Sequence, residues 1–551
     1  MAPPSAKANK RRKPAGLFKQ KRGKKEDSQA KLLNHTDSKK PASRMILKPL
    51  LSFLTLETFT EARKVKVEKV RESLAMELEG SIFVDAKWIP KHVFKDLPFN
   101  PKTMLKDISS PMKPRKSKKP KVYYCTSQKS KGWIDWPPTN EKGTEKLLGN
   151  YLNDVADAVR RKLKLQESPE DLVYSSTFSE SGIKTDETTE RKPDLIVVPR
   201  CMQDSRDVEW KDIRSFVSLK IDSQTRNDEL TQITEYARMC FSKQCDRRYV
   251  LGLGFLHNKL SAYVFDRSGV LASPYYNAEK YPEAFLHLAI GMLLLPKTQM
   301  GYDPSFFESE NSRYIKAFES DYEIIDELYV DRSIRGRGTV CLKAERDGET
   351  FVIKDSWVDR TRAIKEIDML QELKGAGITN VPTLIAGDIV QISEPSRSSS
   401  KVRVVMKTRK DCTETIRKEL IEDIKERKID QSLIKDVEIR DHYRVVMQPC
   451  GQRLDDFDSL TELLSATFDI FESEYFRSLV GSHYLAHAEL LIAIEALDRM
   501  KIVHRDISLD NIILVHNPSK DWRTGYIIDF DYAIKDTEGR QIASGKRTVS
   551  V

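Results

Sequence analysis

The sequence predicts a mixed α+β fold, built on two sheets behind a basic tail. Three observations carry that expectation. Runs with strand character, "DLIVV" (Asp194–Val198), "FVSLKI" (Phe216–Ile221), "YVLGLGFL" and "LSAYVF", alternate with helical stretches between residues 140 and 300. From Val330, "VDRSIRGRGTVCLKAERDGETFVIKDSW" reads as strand, glycine loop, strand, turn and strand. Residues 1–44 hold fourteen Lys/Arg against three Asp/Glu, a local charge of +11 in a chain whose total is +10. The remainder is therefore close to neutral.

Blocks of like charge repel, stay solvated and resist packing into a core. Residues 1–55 accordingly read as a disordered basic tail, and residues 56–139 as a helical lead-in followed by a basic Pro/Ser linker. "KRRKPAGLFKQKRGKK" (Lys10–Lys25) resembles a two-cluster nuclear import signal, and "KPRKSKKPK" (Lys113–Lys121) is a second cluster. Such an arm would meet an import receptor, or nucleic acid through phosphate charge alone. The expected location is nuclear or cytoplasmic. The seven cysteines are odd in number, widely spread and without a CxxC pair, which excludes a disulfide framework and a zinc ligand set. The longest apolar run, "FLHLAIGMLLLP" (Phe285–Pro296), is too short to span a bilayer.

Along the chain, "LETFTEARKVKVEKVRESLAMELEG" (Leu56–Gly80) reads as a charged amphipathic helix. A second helix, Thr144–Leu163, places Leu148, Leu152 and Val155 on one face. In Phe216–Ile221, Val217, Leu219 and Ile221 alternate with Ser218 and Lys220, which predicts one buried and one open face. "ELTQITEYARMCF" stacks Leu230, Ile233, Ala237 and Cys240 on one side of a helix, and the polar "HNK" separates two strands of a hairpin. Residues 140–300 thus form one α/β domain, 301–329 a linker, and 330–551 a second domain. Within the latter, "SEPSRSSSK" (Ser393–Lys401) and the charged helix after it read as an insertion, and "YRVVMQPCG" resumes the sheet at Tyr443. "HYLAHAELLIAIEALDRM" (His483–Met500) reads as a buried helix through Leu490, Ile494 and Leu497. There is no internal repeat.

The chemistry concentrates in "IVHRDISLDNIILVHNPSKDWRTGYIIDFDYA" (Ile502–Ala533). Phosphoryl transfer needs few covalent partners but demands charges at fixed distances. "HRDISLDN" sets Asp506 five positions before Asn511, so that the carboxylate can orient or deprotonate a hydroxyl while the amide reaches a metal. "IIDFD" puts Asp529 at a strand end, where a carboxylate can bridge Mg²⁺ to phosphates. Upstream, Gly336 and Gly338 in "GRGTVC" would let backbone amides approach phosphate, with Cys341 where a third glycine would complete the loop. Lys354 ends "FVIK" and Glu366 lies in "RAIKEIDMLQEL", which suits a strand lysine and its helical partner. Alone, each would read as an ordinary surface residue; the order of the four motifs makes them a set.

On those motifs, residues 330–533 resemble the N-lobe and catalytic loop of a eukaryotic protein kinase. More narrowly, "HRDIS..NI", "IIDFDYA", "RKPDLIVVPR", "YAR" and "VLGLGFL…VFDRSG" make residues 140–551 similar to the fungal-type protein kinase family. The resemblance implies a protein kinase-like fold, with an N-lobe sheet and an incomplete helical C-lobe behind the upstream α/β domain. It implies ATP and Mg²⁺ as cofactors and transfer of the γ-phosphate to a protein hydroxyl, with serine/threonine favoured over tyrosine as acceptor and both left open. It assigns catalysis to Asp506, Lys354, Glu366 and Arg505, nucleotide contact to Gly336, Gly338, Val340, Lys354, Met447 and Pro449, and the metal to Asn511 and Asp529. Arg505 would pair with a phosphorylated activation segment.

Two positions depart from the general kinase pattern. Ser508 stands where serine/threonine kinases usually carry Lys, and Asp531 stands in place of the usual Gly. The upstream region resembles the PD-(D/E)xK nuclease arrangement through Asp194, Ser218 and Lys220, but Ser218 occupies the second carboxylate position, so a scaffold is expected there rather than a nuclease. Eighteen residues follow Ala533 before the chain stops, short of a helical floor, which leads to the expectation of impaired activity. A pseudokinase or nucleotide-binding module, and a nuclear DNA-associated protein, are the alternative readings.

Overall fold

Strands that are apolar on both faces build the first sheet, because helices cover both of its sides. The computed structural model describes residues 67–110, 121–127, 131–138, 143–184, 190–220, 225–396, 405–410, 412–426, 437–459, 500–516 and 523–535, with 462, 497 and 518. The basic arm, the Lys113–Lys121 cluster apart from Lys121, the predicted His483–Met500 helix apart from Leu497 and Met500, and the tail after Lys535 lie outside the described residues.

Helix α1 (Val67–Glu77) leads into strand β1 (Ile82–Phe83). Then follow α2 (Thr144–Lys162), β2 (Leu172–Ser175), β3 (Leu195–Pro199), β4 (Ser215–Lys220), α3 (Arg226–Lys243), β5 (Tyr249–Leu256), β6 (Lys259–Asp266) and β7 (Gly269–Ala272). The strand order is β1-β7-β6-β5-β4-β3-β2, with Tyr276–Asn277 pairing on β6. β4 and β5 run parallel, as a helical crossover through α3 requires, and β5 and β6 form the expected hairpin. Its turn is the two residues His257 and Asn258, with His257 in the left-handed region.

Leu148, Leu152 and Val155 of α2 are buried against one face of this sheet, and Leu230, Ile233, Ala237 and Cys240 of α3 against the other. The single open face expected for β4 is therefore corrected: Val217 packs on the α2 side, Phe216 on the α3 side, and Ser218 is fully buried. The apolar run from Phe285 forms short buried helical turns, and among the described residues no helix is long and apolar enough to cross a membrane. Cys125, Cys201, Cys240, Cys245, Cys341 and Cys450 are free thiols.

The second sheet is antiparallel. It contains β8 (Phe306–Ser309), β9 (Ser312–Ala317), β10 (Ser320–Val330), β11 (Val340–Arg346), β12 (Glu349–Asp359), β13 (Thr383–Ile389) and β14 (Arg440–Gln448), in the order β8-β9-β10-β11-β12-β14-β13. Helix α4 (Glu366–Gly375) packs on it through Met369, Leu370 and Leu373. Residues 301–329, expected as a linker, are corrected by this arrangement: β8, β9 and β10 extend the sheet. Most of β10 is exposed and its register is broken by bulges, so its sequence lacks the alternation that marks a half-buried strand. The insertion between β13 and β14 is present as a hairpin (Gln391–Ser396 with Val405–Lys410) and helix α5 (Cys412–Glu426).

Three contacts tie the second sheet to the first region. Ile334, in the loop between β10 and β11, has no exposed surface and belongs to the hydrophobic cluster of Val70, Leu74 and Phe241. Leu420 and Ile424 of α5 enter the cluster that contains α2, while Arg417 pairs with Asp266, both side chains being 1% exposed. Arg444 of β14 holds Asp303 at 2.8 Å and Asp355 at 2.7 Å. Buried charges persist only when paired and hydrogen-bonded, so each contact fixes a geometry.

One buried carboxyl in the first region makes stability depend on pH. Glu229 has no exposed surface; Tyr263 and Tyr275 donate to its Oε1 at 2.5 and 2.9 Å, and Gly254 leaves room for it, since a Cβ there would lie 2.0 Å from the same oxygen. Burial pushes the Glu229 carboxyl up to about 7 from 4.5. The folded chain thus keeps a proton that the unfolded chain has lost, so this contribution is complete below about pH 4.5 and disappears as pH rises through about 7. Wild-type urea midpoints should fall between pH 5 and pH 7.5 more steeply than those of Glu229→Gln. Equal slopes in the two proteins would contradict the assignment.

Candidate functional site: a lysine shared by three carboxylates

Lys354 lies near the middle of β12, paired with Cys341 on one side and Val445 of β14 on the other. A central strand holds its side chains rigidly, and this one points towards the start of α4. Glu366 is the first residue of that helix, where the dipole favours a carboxylate. The Lys354 ammonium meets Glu366 Oε2 at 2.8 Å, Asp529 Oδ1 at 2.7 Å and Asp531 Oδ2 at 3.2 Å.

Burial alone would lower the Lys354 ammonium, but Asp529, Asp531 and Glu366 raise it well above its ordinary value. Burial would likewise raise Asp529, but Lys354 and Arg337 hold it well below the usual carboxylate range. Glu366 is fully enclosed, and burial pushes it up to about 7 despite Lys354 beside it. Its Oε1 also accepts the backbone N–H of Phe530 at 3.2 Å, which ties the helix to the Asp529–Asp531 segment.

The lower part of the site hangs on a hairpin, β15 (Ile512–Val515) with β16 (Thr524–Ile527). Asn380 joins it to the upper sheet by accepting from Ile527 N and donating to Gly525 O, each at 3.0 Å. Ile528 N donates to Asn511 O at 3.0 Å, and His504 Nε2 donates to Ile528 O at 3.0 Å. Burial lowers the His504 pKa, so the ring is neutral near pH 7 and packs edge-on to Phe530 with centroids 4.8 Å apart. Asn511 Nδ2 donates to Asp506 O at 2.8 Å and to Asp506 Oδ2 at 3.3 Å. Arg505 and Asp529 both adopt positive φ, 69° and 63°. Non-glycine residues do so at a cost of about 1–3 kcal/mol, and such strain collects at functional sites.

The residues assigned from the sequence are therefore placed as follows. Lys354, Glu366 and Asp529 converge directly. Asp506 and Asn511 are bonded to each other and joined to Asp529 through Ile528. Val340 is buried at the start of β11, and Met447 and Pro449 lie at and just beyond the end of β14. Arg505 is exposed, and the segment it was expected to pair with falls outside the described residues.

The glycine loop departs from expectation. Gly336 N donates to Arg267 O at 3.0 Å, so this amide is engaged by protein. At Gly338, with φ of 52°, a Cβ would lie 2.3 Å from the Arg267 side chain. Gly338 thus makes room for Arg267, at the turn between β6 and β7, whereas a Cβ at Gly336 would meet Ser333 at 3.1 Å. Sequence reasoning also missed Arg337, whose Nη1 reaches Asp531 Oδ2 at 2.7 Å and both Asp529 oxygens at 3.5 Å. An arginine between two glycines, upstream of a segment with an extra aspartate, was the available signal.

The donors fit a hard divalent cation. The Asn511 amide nitrogen is engaged by Asp506, which leaves its oxygen to accept a cation; Asp529 is ionised; and Asp531 is 1% exposed with an Oδ1 that meets no donor among the described residues. All are oxygen ligands, as Mg²⁺ prefers.

The upstream arrangement supplies one such group only. Asp194 Oδ2 accepts from Leu219 N at 2.7 Å and is pushed by burial up to about 6. Ser218 donates to Gln232 Oε1 at 2.8 Å, and Lys220 donates to the same oxygen. No group of three metal-ligating side chains forms around Asp194 among the described residues.

A family model described as fungal protein kinase matches residues 192–550. The chain belongs to the fungal protein kinase family. The match begins at Lys192, so β3 to β7 of the first sheet are part of what defines the family, together with the kinase motifs. No curated protein matches the chain.

Removing the shared ammonium would leave three carboxylates facing one another. Breaking a buried ion pair from one side costs about 3–5 kcal/mol, so Lys354→Met should lower the urea midpoint by a corresponding amount. An unchanged midpoint would show that the cluster does not bear on stability.

Proposed function

We propose that the chain is an ATP-dependent protein kinase that transfers the γ-phosphate to a serine or threonine hydroxyl of a protein. The observation that supports it best is the buried convergence of Lys354, Glu366 and Asp529 with the bonded pair Asp506–Asn511 attached through Ile528.

In this reading Lys354 holds the α and β phosphates, and Glu366 fixes its position. Asp529 and Asn511 hold Mg²⁺, which when bound neutralises charge on the phosphates. Asp506 accepts the hydroxyl proton, its carboxylate aligned by the Asn511 amide. The neutral His504 keeps the catalytic loop against Ile528, which links β16 to Asp529. Raised burial of Lys354 and Glu366 excludes water and strengthens each of these interactions.

A second reading, a nucleotide-binding module without turnover, is favoured by Arg337 on Asp529 and by Ser508 in place of lysine. The two separate in one assay. With Mg-ATP and a generic protein acceptor, wild type should transfer phosphate and Asp506→Asn should be slower by about 10²–10⁴-fold, as loss of a general base predicts. Stabilisation by ATP without transfer from wild type would establish the binding module instead.

A further inference from the structure

The loop between β10 and β11 is held from outside the second sheet. Glu77, the last residue of α1, accepts the backbone N–H groups of Ile334 and Arg335 on one oxygen, each at 2.7 Å. Arg335 donates from its guanidinium to Glu79 O at 3.2 Å. Arg267 donates to Ser333 O and accepts from Gly336 N, while its own guanidinium lies over the Phe241 ring at 4.0 Å. Ile334 is fully enclosed among side chains of α1 and α3. On the far side, Arg337 O accepts from Trp357 N at 2.6 Å. With both flanks held, the Arg337 side chain has a defined destination: Asp531 at 2.7 Å, Asp529 at 3.5 Å and the Tyr532 ring at 4.5 Å.

Resting on the reading of Asp529 as a metal ligand, we infer that Arg337 is an internal cation at the metal end of the site, and that Glu77 is the positioning residue that keeps it there. A divalent ion approaching Asp529 meets the Lys354 ammonium and the Arg337 guanidinium on the same carboxylate. Lys354 is buried on a central strand and stays. Arg337 is 27% exposed on a loop and is the group that yields. Asp531 is what Arg337 grips most closely, which gives the aspartate that replaces the usual glycine a partner of its own. The metal requirement of this site is then set by residues more than two hundred positions apart in the chain, and it rises when the clasp is intact.

The test measures Mn²⁺ alone on the full chain, from the loss of the free-ion electron paramagnetic resonance signal, and separately the binding of a fluorescent N-methylanthraniloyl ATP. Removing a like charge within about 4 Å of an incoming ion is expected to tighten Mn²⁺ by about tenfold or more in Arg337→Ala. Glu77→Ala, which frees the loop, should move Mn²⁺ affinity the same way. Glu77→Gln keeps the accepting oxygen and should behave as wild type, which separates positioning from general damage to the fold. Unchanged or weaker Mn²⁺ binding in Arg337→Ala overturns the inference, as does an equal change of Mn²⁺ affinity in Glu77→Ala and Glu77→Gln. If Mn²⁺ tightens while no variant binds the ATP analogue, the inference stands and the nucleotide reading fails. If the analogue binds with the same Mn²⁺ requirement in every variant, the inference fails and the nucleotide reading stands.

Discussion

Residues 331–339 carry the constraint on which the rest of the structure depends. The loop must bury Ile334 and find partners for the amides of Ile334, Arg335 and Gly336, and those requirements are met from the first region by Glu77, Arg267 and the α1–α3 cluster. A buried amide without a partner is costly, so the loop cannot lift away without exposing several such groups together. Fixing the loop fixes Arg337, and through it the charge balance around Lys354. The first region is thereby a structural part of the site around Lys354.

The same logic explains why buried charges recur where the two sheets meet. Arg444 with Asp303 and Asp355, and Arg417 with Asp266, each bring one partner from either side. Hydrophobic contact alone would allow sliding between two apolar faces. A guanidinium that satisfies two carboxylates in the plane of its fork does not, because a small shift leaves a buried charge unpaired. Asp355 is adjacent to Lys354 on β12, so this rigidity reaches the site after a single residue.

Much of the fold was legible because its elements carry local periodicity. The α2 face, the α3 stripe, the β5–β6 hairpin and the α5 insertion follow from patterns within about twenty residues. The grouping of Asp506, Asn511 and Asp529 was legible because their spacing along one short stretch is itself the signal. What escaped has a common physical cause. β10 is exposed along most of its length, so no alternation announces it. Ser218 looked like the polar face of a strand and is buried, because both faces of β4 are covered. Gly336 and Gly338 looked like a phosphate cradle, and Arg267, from a hairpin far upstream, accepts the amide of the first and fills the space beside the second. Each miss depends on what distant residues cover or leave open, to which local pattern is blind.

Native-state hydrogen exchange on the full chain measures directly whether the first region holds the loop beside Lys354. The amides of Ile334, Arg335 and Gly336 should exchange as slowly as those of β11 and β12, since they open only when the clasp and the sheet open together. Exchange at the rate of an unprotected surface loop, with β11 and β12 still protected, would contradict the account.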